Sequence, residues 1–573
     1  MSRRRNARKK DFRTPRYARR GRVVAAVMLL AFGALAARAV YLQVLNAGEL
    51  QAYGKKHHQR EVTVPAARGV LSDRNGTALA VSTPVDSVSA VPGELAQAPQ
   101  SWPALCKQLG ISRQTLRREL EAHRGRGFMY LKRHLPPAAA APVRALGVRG
   151  VHLRREYRRY YPAGAAAAHV VGLTDVDMRG IDGMELALEE TLRGEDGKKV
   201  VLLDSRRNRV DEWVRKGVRG GGDVRLSLDS RLQRIAHREL AKAARRHRAA
   251  GGSAVVVDAQ SGEVLALTNV PSFNPNNRKG VTHRHLRNRA VIDVFEPGSA
   301  IKPFTIAAAL ESGAASPGDR VQTSPGWLRI GGKTLRDPRD FGELTLGGVV
   351  AESSNVGIVK IAQKLPPRAL QDLFAALGFG APPAIGLPGE SAGVLPRGGG
   401  LRPIERASLS YGYGLSVTAL QLARAYTAIA NDGIMAPLTV MHRPGGASGR
   451  PGQRVFTAAT ARAVRAMMEQ AAAAAGTAAQ ARIAHYRVAA KTGTVKKFMD
   501  GAYAAGRYTA VTAGLAPASR PRLVMVAVLD DPRGEKYYGG EVAAPVFQKV
   551  MTRALRMLNI PPDGIGAPAR GRT

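Results

Sequence analysis

The chain has 573 residues, room for two or three domains and a sizeable buried core, and 45% of them are apolar, which excludes a wholly disordered chain. Its formal charge of +43 would suit nucleic acid or an anionic membrane surface. Basic residues are nevertheless spread along a chain equally rich in Ala and Gly, with no aromatic-interleaved basic patch, so no nucleic-acid partner is expected.

Over residues 3–22, Arg or Lys stands at eleven positions against the single acid Asp11. An uncharged apolar run fills 23–37, and after Arg38 apolar character resumes as far as Leu45. A membrane span needs about 20 apolar residues, and an Arg near its end can snorkel to the headgroups. The basic flank holds the N-terminus on the cytoplasmic side. The expectation is a cytoplasmic basic tail over 1–22 and a single transmembrane anchor over 23–45. Ala34-Leu35-Ala36 also satisfies a small-x-small cleavage pattern; the long basic region and the apolar residues beyond it favour an uncleaved anchor. Either way, everything after residue 45 is exported.

Residues 46–222 mix short β-like runs, Gly and Asn turns and helical patterns. Asn75-Gly76 reads as a tight hairpin turn, and the segment 116–123 as a helix. Gly220-Gly221-Gly222 costs too much backbone entropy for a helix or strand interior and reads as a linker. From Asp223 the texture is regular. Leu232, Ile235 and Leu240 open an amphipathic helix, and 253–258 and 263–267 read as strands joined at Ser261-Gly262. A later strand pair spans 508–515 and 523–529. The expected fold class is α+β: helices on an antiparallel sheet over 223–560, behind a mixed α/β pedestal domain over 46–222. Residues 561–573 read as a disordered tail. The one cysteine, Cys106, excludes an internal disulfide and reads as buried filler. No HExxH, CxxC or His/Cys cluster marks a metal site, and Ala490 before Lys491 excludes a Walker loop, so no metal or cofactor is expected.

Three short motifs then occur in order: Ser299-Ala300-Ile301-Lys302, Ser353-Ser354-Asn355 and Lys491-Thr492-Gly493-Thr494. Ser-x-x-Lys places hydroxyl and amine on one helical face, and Pro297-Gly298 and Pro303 put both at a helix N-terminus, where the dipole favours an oxyanion. A serine hydroxyl needs a base, and a lysine of depressed pKa can serve. Ser353 can relay a proton to a leaving amine. Asn355 can hold the substrate backbone or Lys302. Lys491 supplies positive charge on a strand edge, Thr492 and Thr494 can bind a carboxylate, and Gly493 keeps the edge open to substrate. Singly, each motif is as readily a cap, a turn or a strand end. The three in this order point to an acyl-transferring serine enzyme.

The motifs resemble those of penicillin-binding proteins. Arg68-Gly69 with Asp73-Arg74-Asn75-Gly76, Arg159-Tyr160-Tyr161-Pro162, Gly180-Ile181-Asp182-Gly183 with Glu185, and Tyr411-Gly412-Tyr413-Gly414 extend the likeness to class B enzymes. Phe295-Glu296-Pro297-Gly298-Ser299, and Lys536-Tyr537-Tyr538-Gly539-Gly540 followed by Ala544-Pro545-Val546-Phe547, resemble the division-specific FtsI (penicillin-binding protein 3) family, apart from Ala300 where Thr is usual. The resemblance implies an inner-membrane D,D-transpeptidase with a periplasmic catalytic domain, cross-linking peptidoglycan stem peptides at the septum. Ser299 would attack the D-Ala-D-Ala bond with Lys302 as base, and the amides of Ser299 and Thr494 would form the oxyanion hole. β-Lactams would acylate the same serine. The glycosyltransferase FtsW and other divisome proteins are the implied partners. A secreted β-lactamase would not need residues 46–222, a bifunctional synthase would need a glycosyltransferase domain, and intact catalytic residues argue against an inactive sensor.

Overall fold

The computed structural model describes residues 15–204, 209–396, 398, 401–444 and 451–564. Residues 1–14 of the expected basic tail and 565–573 of the expected C-terminal tail lie outside these. Contacts divide the chain into two units, one from Met1–Ala66 with Glu195–Arg219, the other from Ala67–Gly194 with Gly220–Thr573.

In the first unit, the helix Pro15–Val40 continues through a π-helical turn, Tyr41–Leu45. Within it, Ala18–Leu45 is a 28-residue stretch apolar enough to cross a membrane. At about 1.5 Å per residue such a stretch exceeds the roughly 30 Å of a hydrocarbon core. Among the described residues its side chains find almost no cover, Leu29 being 73% and Leu30 74% exposed. The chain then forms the helix Ala47–His58 and the strand Gln59–Val64, which pairs antiparallel with Gly197–Leu203. Arg209–Lys216 completes a three-stranded sheet.

In the second unit, the segments Leu71–Ser72, Ala78–Ala90, Met129–Leu135, Val151–Tyr160 and Val224–Arg225 form one sheet. The expected turn at Asn75-Gly76 joins the first two, held by Asp73 Oδ1, which accepts from the amides of Asn75 and Thr77 at 2.8 Å. Cys106 is buried with Leu105, Leu109 and Leu116 in a small core beside this sheet. The glycine run is not slack chain. The Gly221 amide donates to Ala67 O at 2.9 Å and the Gly222 amide to Thr191 O at 2.8 Å, so the run is packed where a linker was expected.

The remainder of this unit is a sheet between two helical layers. Its elements in chain order are α1 (Ser230–Arg246), β1 (Gly251–Asp258), β2 (Val264–Val270) and α2 (Lys302–Glu311). A small hairpin follows, β3 (Trp327–Ile330) and β4 (Lys333–Arg336), then α3 (Asn355–Gln363), α4 (Ala419–Ala430) and α5 (Ala458–Ala472). β5 (Ala489–Met499), β6 (Ala502–Ala516), β7 (Leu523–Asp530) and α6 (Ala544–Met557) close the domain. The five long strands are antiparallel in the order β2-β1-β7-β6-β5, leaving β5 at an edge.

Strand geometry explains why these segments read as unbroken apolar runs. Successive side chains point to opposite faces, and here both faces are covered. Along β7, Val524, Val526 and Val528 enter the core shared with α2, α4 and α5. Leu523, Met525, Ala527 and Leu529 enter a second core, against Leu232, Ala236 and Leu240 of α1 and Phe547, Val550 and Met551 of α6.

Candidate active site

Residues Gly298–Ile301 form a 3₁₀ turn, and α2 begins at Lys302, so Ser299 stands one turn ahead of the α-helix proper. Residues three apart eclipse in 3₁₀ geometry, which keeps Ser299 and Lys302 on one side of the chain. Pro303 is tolerated because the first helical amides have no intrahelical acceptor. Gly298 has φ +53°, and a Cβ there would lie 2.4 Å from Val495 Cγ2. A Cβ on Gly493 would lie 2.7 Å from Pro297 O, so Gly493 allows β5 to press against the serine turn itself. From α4, buried Tyr426 donates its hydroxyl to Ala300 O at 2.8 Å and fixes the turn from behind.

The second motif reaches Lys302 through a strained residue. Ser353 has φ +59°, a left-handed conformation that costs a non-glycine residue about 1–3 kcal/mol. Lys302 Nζ donates to Ser353 O at 2.6 Å, Ser354 O at 3.2 Å, Ser353 Oγ at 3.3 Å and Asn355 Oδ1 at 2.9 Å. All are neutral acceptors. Lys491 Nζ, on edge strand β5, donates to the same Ser353 Oγ at 3.0 Å and to Thr492 O at 3.0 Å. Both lysines are fully buried. Burial pushes Lys302 well below the ordinary lysine value; the Lys491 charge pushes it the same way, and Asp337 opposes both. Burial lowers Lys491 to about 7.

Asp337, just after β4, carries no motif signature, yet it organises the second motif. Its Oδ2 accepts from Ser354 Oγ at 2.5 Å, and its Oδ1 accepts from the amides of Asn355 at 2.5 Å and Val356 at 3.2 Å. It thus satisfies free donors at the N-terminus of α3. Asn355 Nδ2 donates to Arg336 O at 3.3 Å, so one short hairpin orients the whole Ser353–Asn355 turn.

These pieces meet at a groove of about 760 Å³ lined by Ser299, Asn355, Thr494, Lys496 and Tyr413, with Lys333 and Thr334 of β4 on its wall. The half-buried Ser299 hydroxyl makes no hydrogen bond among the described residues. Thr494 faces the groove and also accepts from the Gly539 amide at 2.9 Å. Thr492 is buried and does not line the groove. Lys302 thus meets Ser353 and Asn355, Lys491 meets Ser353, and Asn355 lines the groove with Ser299. Asp337 and Tyr426 are the groups that sequence reading missed.

Two family models match the chain: the penicillin-binding protein dimerisation domain over residues 63–226 and the penicillin-binding protein transpeptidase domain over 252–552. The "Probable peptidoglycan D,D-transpeptidase PenA" of Neisseria meningitidis is 41% identical over 549 residues, covering 95% of this chain and 94% of that protein. The "Peptidoglycan D,D-transpeptidase FtsI" of Escherichia coli K12 is 41% identical over 544 residues, covering 94% and 92%. Among solved structures, penicillin-binding protein 3 of Mycobacterium tuberculosis in complex with aztreonam superposes with a TM-score of 0.67 at 31% identity, covering 88% of this chain and 98% of that one. With both domain models matched and kinship to FtsI and PenA along almost its whole length, the chain belongs to the class B penicillin-binding proteins.

Proposed function

We propose that this chain is a membrane-anchored peptidoglycan D,D-transpeptidase of the division septum, acylated at Ser299 by stem peptides and by β-lactams. The observation that carries the reading is the pair of buried lysines sharing Ser353 Oγ beside a groove that exposes Ser299. Lys302 in its neutral form takes the Ser299 proton, and Oγ attacks the penultimate D-Ala carbonyl. The C–N bond breaks, and the departing D-Ala amine receives a proton through Ser353 Oγ. An amine of a neighbouring stem then attacks the acyl carbon, and the C–O bond to Ser299 breaks. Asn355 and Thr494 hold the substrate backbone and carboxylate, with Lys491 as the cation, and the amides of Ser299 and Thr494 bind the oxyanion.

Residues 46–222 serve as the pedestal and 223–560 as the transpeptidase domain, with 23–45 as the anchor, 1–22 in the cytoplasm and the catalytic domain in the periplasm. FtsW and other divisome proteins are the proposed partners of anchor and pedestal. Labelling membranes with a fluorescent penicillin tests the activity. The parent chain should label, Ser299→Ala should not, and an adduct mapped by mass spectrometry to Ser353 or Ser354 would overturn the assignment.

A further inference from the structure

Glu296, three residues before Ser299, has no assigned task in this chemistry. Its Oε1 accepts from the Gly414 amide at 2.8 Å and from the Tyr503 hydroxyl at 3.1 Å. Its Oε2 is buried without a hydrogen-bond partner among the described residues. Burial raises its pKa, the Gly414 and Tyr503 bonds oppose this, and no cation contributes. An unpaired carboxylate is unexpected in a chain with 87 Lys and Arg against 44 Asp and Glu. Glu296 lines a cavity of about 510 Å³ that shares Gly414 and Lys496 with the catalytic groove.

The second half of transpeptidation must bring an amine to the acyl-enzyme, and a primary amine with a pKa of about 10.4 arrives as an ammonium. Lys333, Arg402 and Lys496 on the groove walls repel it. Two carboxylates line the two cavities, Glu405 and Glu296. Glu405 is already paired with Arg402 at 2.5 Å. Among the described residues Glu296 is bonded only to neutral donors, of which Tyr503, 45% exposed, is the one a ligand can displace.

We propose that Glu296 binds the ammonium of the incoming stem, in the place of the Tyr503 hydroxyl, and takes the proton that frees it as nucleophile. The inference rests on the transpeptidase reading above. The ammonium gives one proton to the Glu296 carboxylate, and the amine forms the new C–N bond. The acyl C–O bond to Ser299 breaks, and the second proton lost by the amine returns to Ser299 Oγ by way of Lys302. Glu296 then releases its proton to solvent.

The test compares the full-length parent with Glu296→Gln, which keeps an oxygen for the Gly414 amide. A D-alanyl thioester serves as donor, and a tripeptide ending in a diamino acid, or methanol, serves as acceptor. The ratio of amine transfer to hydrolysis should fall tenfold or more, with transfer to methanol and the rate of penicillin acylation held within about twofold. Glu296→Asp should restore part of the amine transfer. An unchanged ratio would overturn the proposal. So would a parallel loss of amine transfer, methanol transfer and acylation, which would make Glu296 a positioning residue for the Ser299 turn. A parent chain that takes up no penicillin would instead overturn the transpeptidase reading on which the proposal rests.

Discussion

Two buried polar clusters of this protein handle positive charge in opposite ways. In the pedestal, Arg68 Nε and Arg159 Nε each meet a Glu185 oxygen at 2.6 Å, and a second Arg68 nitrogen meets Glu189 at 2.6 Å. Every buried cation there has a carboxylate. At the active site, Lys302 and Lys491 are equally buried, yet their hydrogen bonds go to carbonyls, one shared hydroxyl and an amide. A paired buried charge stays charged and costs stability when its partner is lost. An unpaired one gives up its proton, and a lysine that has done so is a base. The same residue class thus builds a strut in one place and a reactive centre in the other.

The largest expected effect breaks the strut. Glu185→Gln leaves two guanidinium groups buried without their shared anion and should cost about 3–5 kcal/mol, read as a lower melting temperature. Penicillin acylation measured well below that temperature should stay near the parent rate. The converse holds for Lys302→Met. Acylation should fall by about a hundredfold or more, about 2.7 kcal/mol of barrier, while the melting temperature holds or rises because Lys302 is hydrogen-bonded to no carboxylate. Equal melting losses in the two variants would erase the distinction between the clusters.

A smaller effect concerns Lys491. Only its ammonium form attracts a carboxylate, and burial sets its pKa at about 7. Noncovalent binding of a carboxylate-bearing β-lactam should therefore weaken about tenfold per unit as pH rises above 7, until the pKa of the occupied site is reached. Stability runs the other way with pH. With a folded value of about 7 against the ordinary lysine value of 10.5, the cost to stability is fully present below about pH 7 and is relieved as pH rises toward 10.5. A thermal unfolding series over this window, parent against Lys491→Met, should show the two curves converging at the alkaline end.

The smallest effect belongs to Asp337→Asn. Asn still caps α3, so folding should change little. Removing the one carboxylate that holds the Lys302 pKa up should move the rising limb of the acylation pH profile to lower pH. A shift to higher pH would contradict the electrostatic role assigned to Asp337.

Much of this was legible in the sequence because it is local. The hairpin at Asn75-Gly76, the strands at 253–258 and 523–529 and the three motifs announce themselves within a dozen residues, and the apolar N-terminal helix within one unbroken run. What stayed hidden depends on contacts across long stretches of chain. Asp337 reaches Ser354 across 17 residues, and Tyr426 reaches Ala300 across 126. A lone Asp after a short strand and a Tyr inside an apolar helix carry no spacing signal. The left-handed backbone of Ser353 was equally invisible, since serine has no preference that betrays it. Gly493 reads as clearance for substrate, and its close approach to Pro297 O adds a packing requirement that only the fold reveals. The run 220–222 reads as a linker, and its packing is hidden for the same reason: hydrogen bonds made by backbone amides leave no trace in side-chain identity.

That unpaired burial makes Lys302 the base for Ser299 is tested most directly by the pH dependence of the second-order rate of Ser299 acylation, measured with a neutral penicillin ester so that no ligand carboxylate intrudes. The rate should rise along a single limb whose midpoint lies well below the ordinary lysine value of 10.5 and then level off, and Lys302→Met should abolish that limb. A rate that climbs only near pH 10.5, or a limb that survives in Lys302→Met, would contradict it.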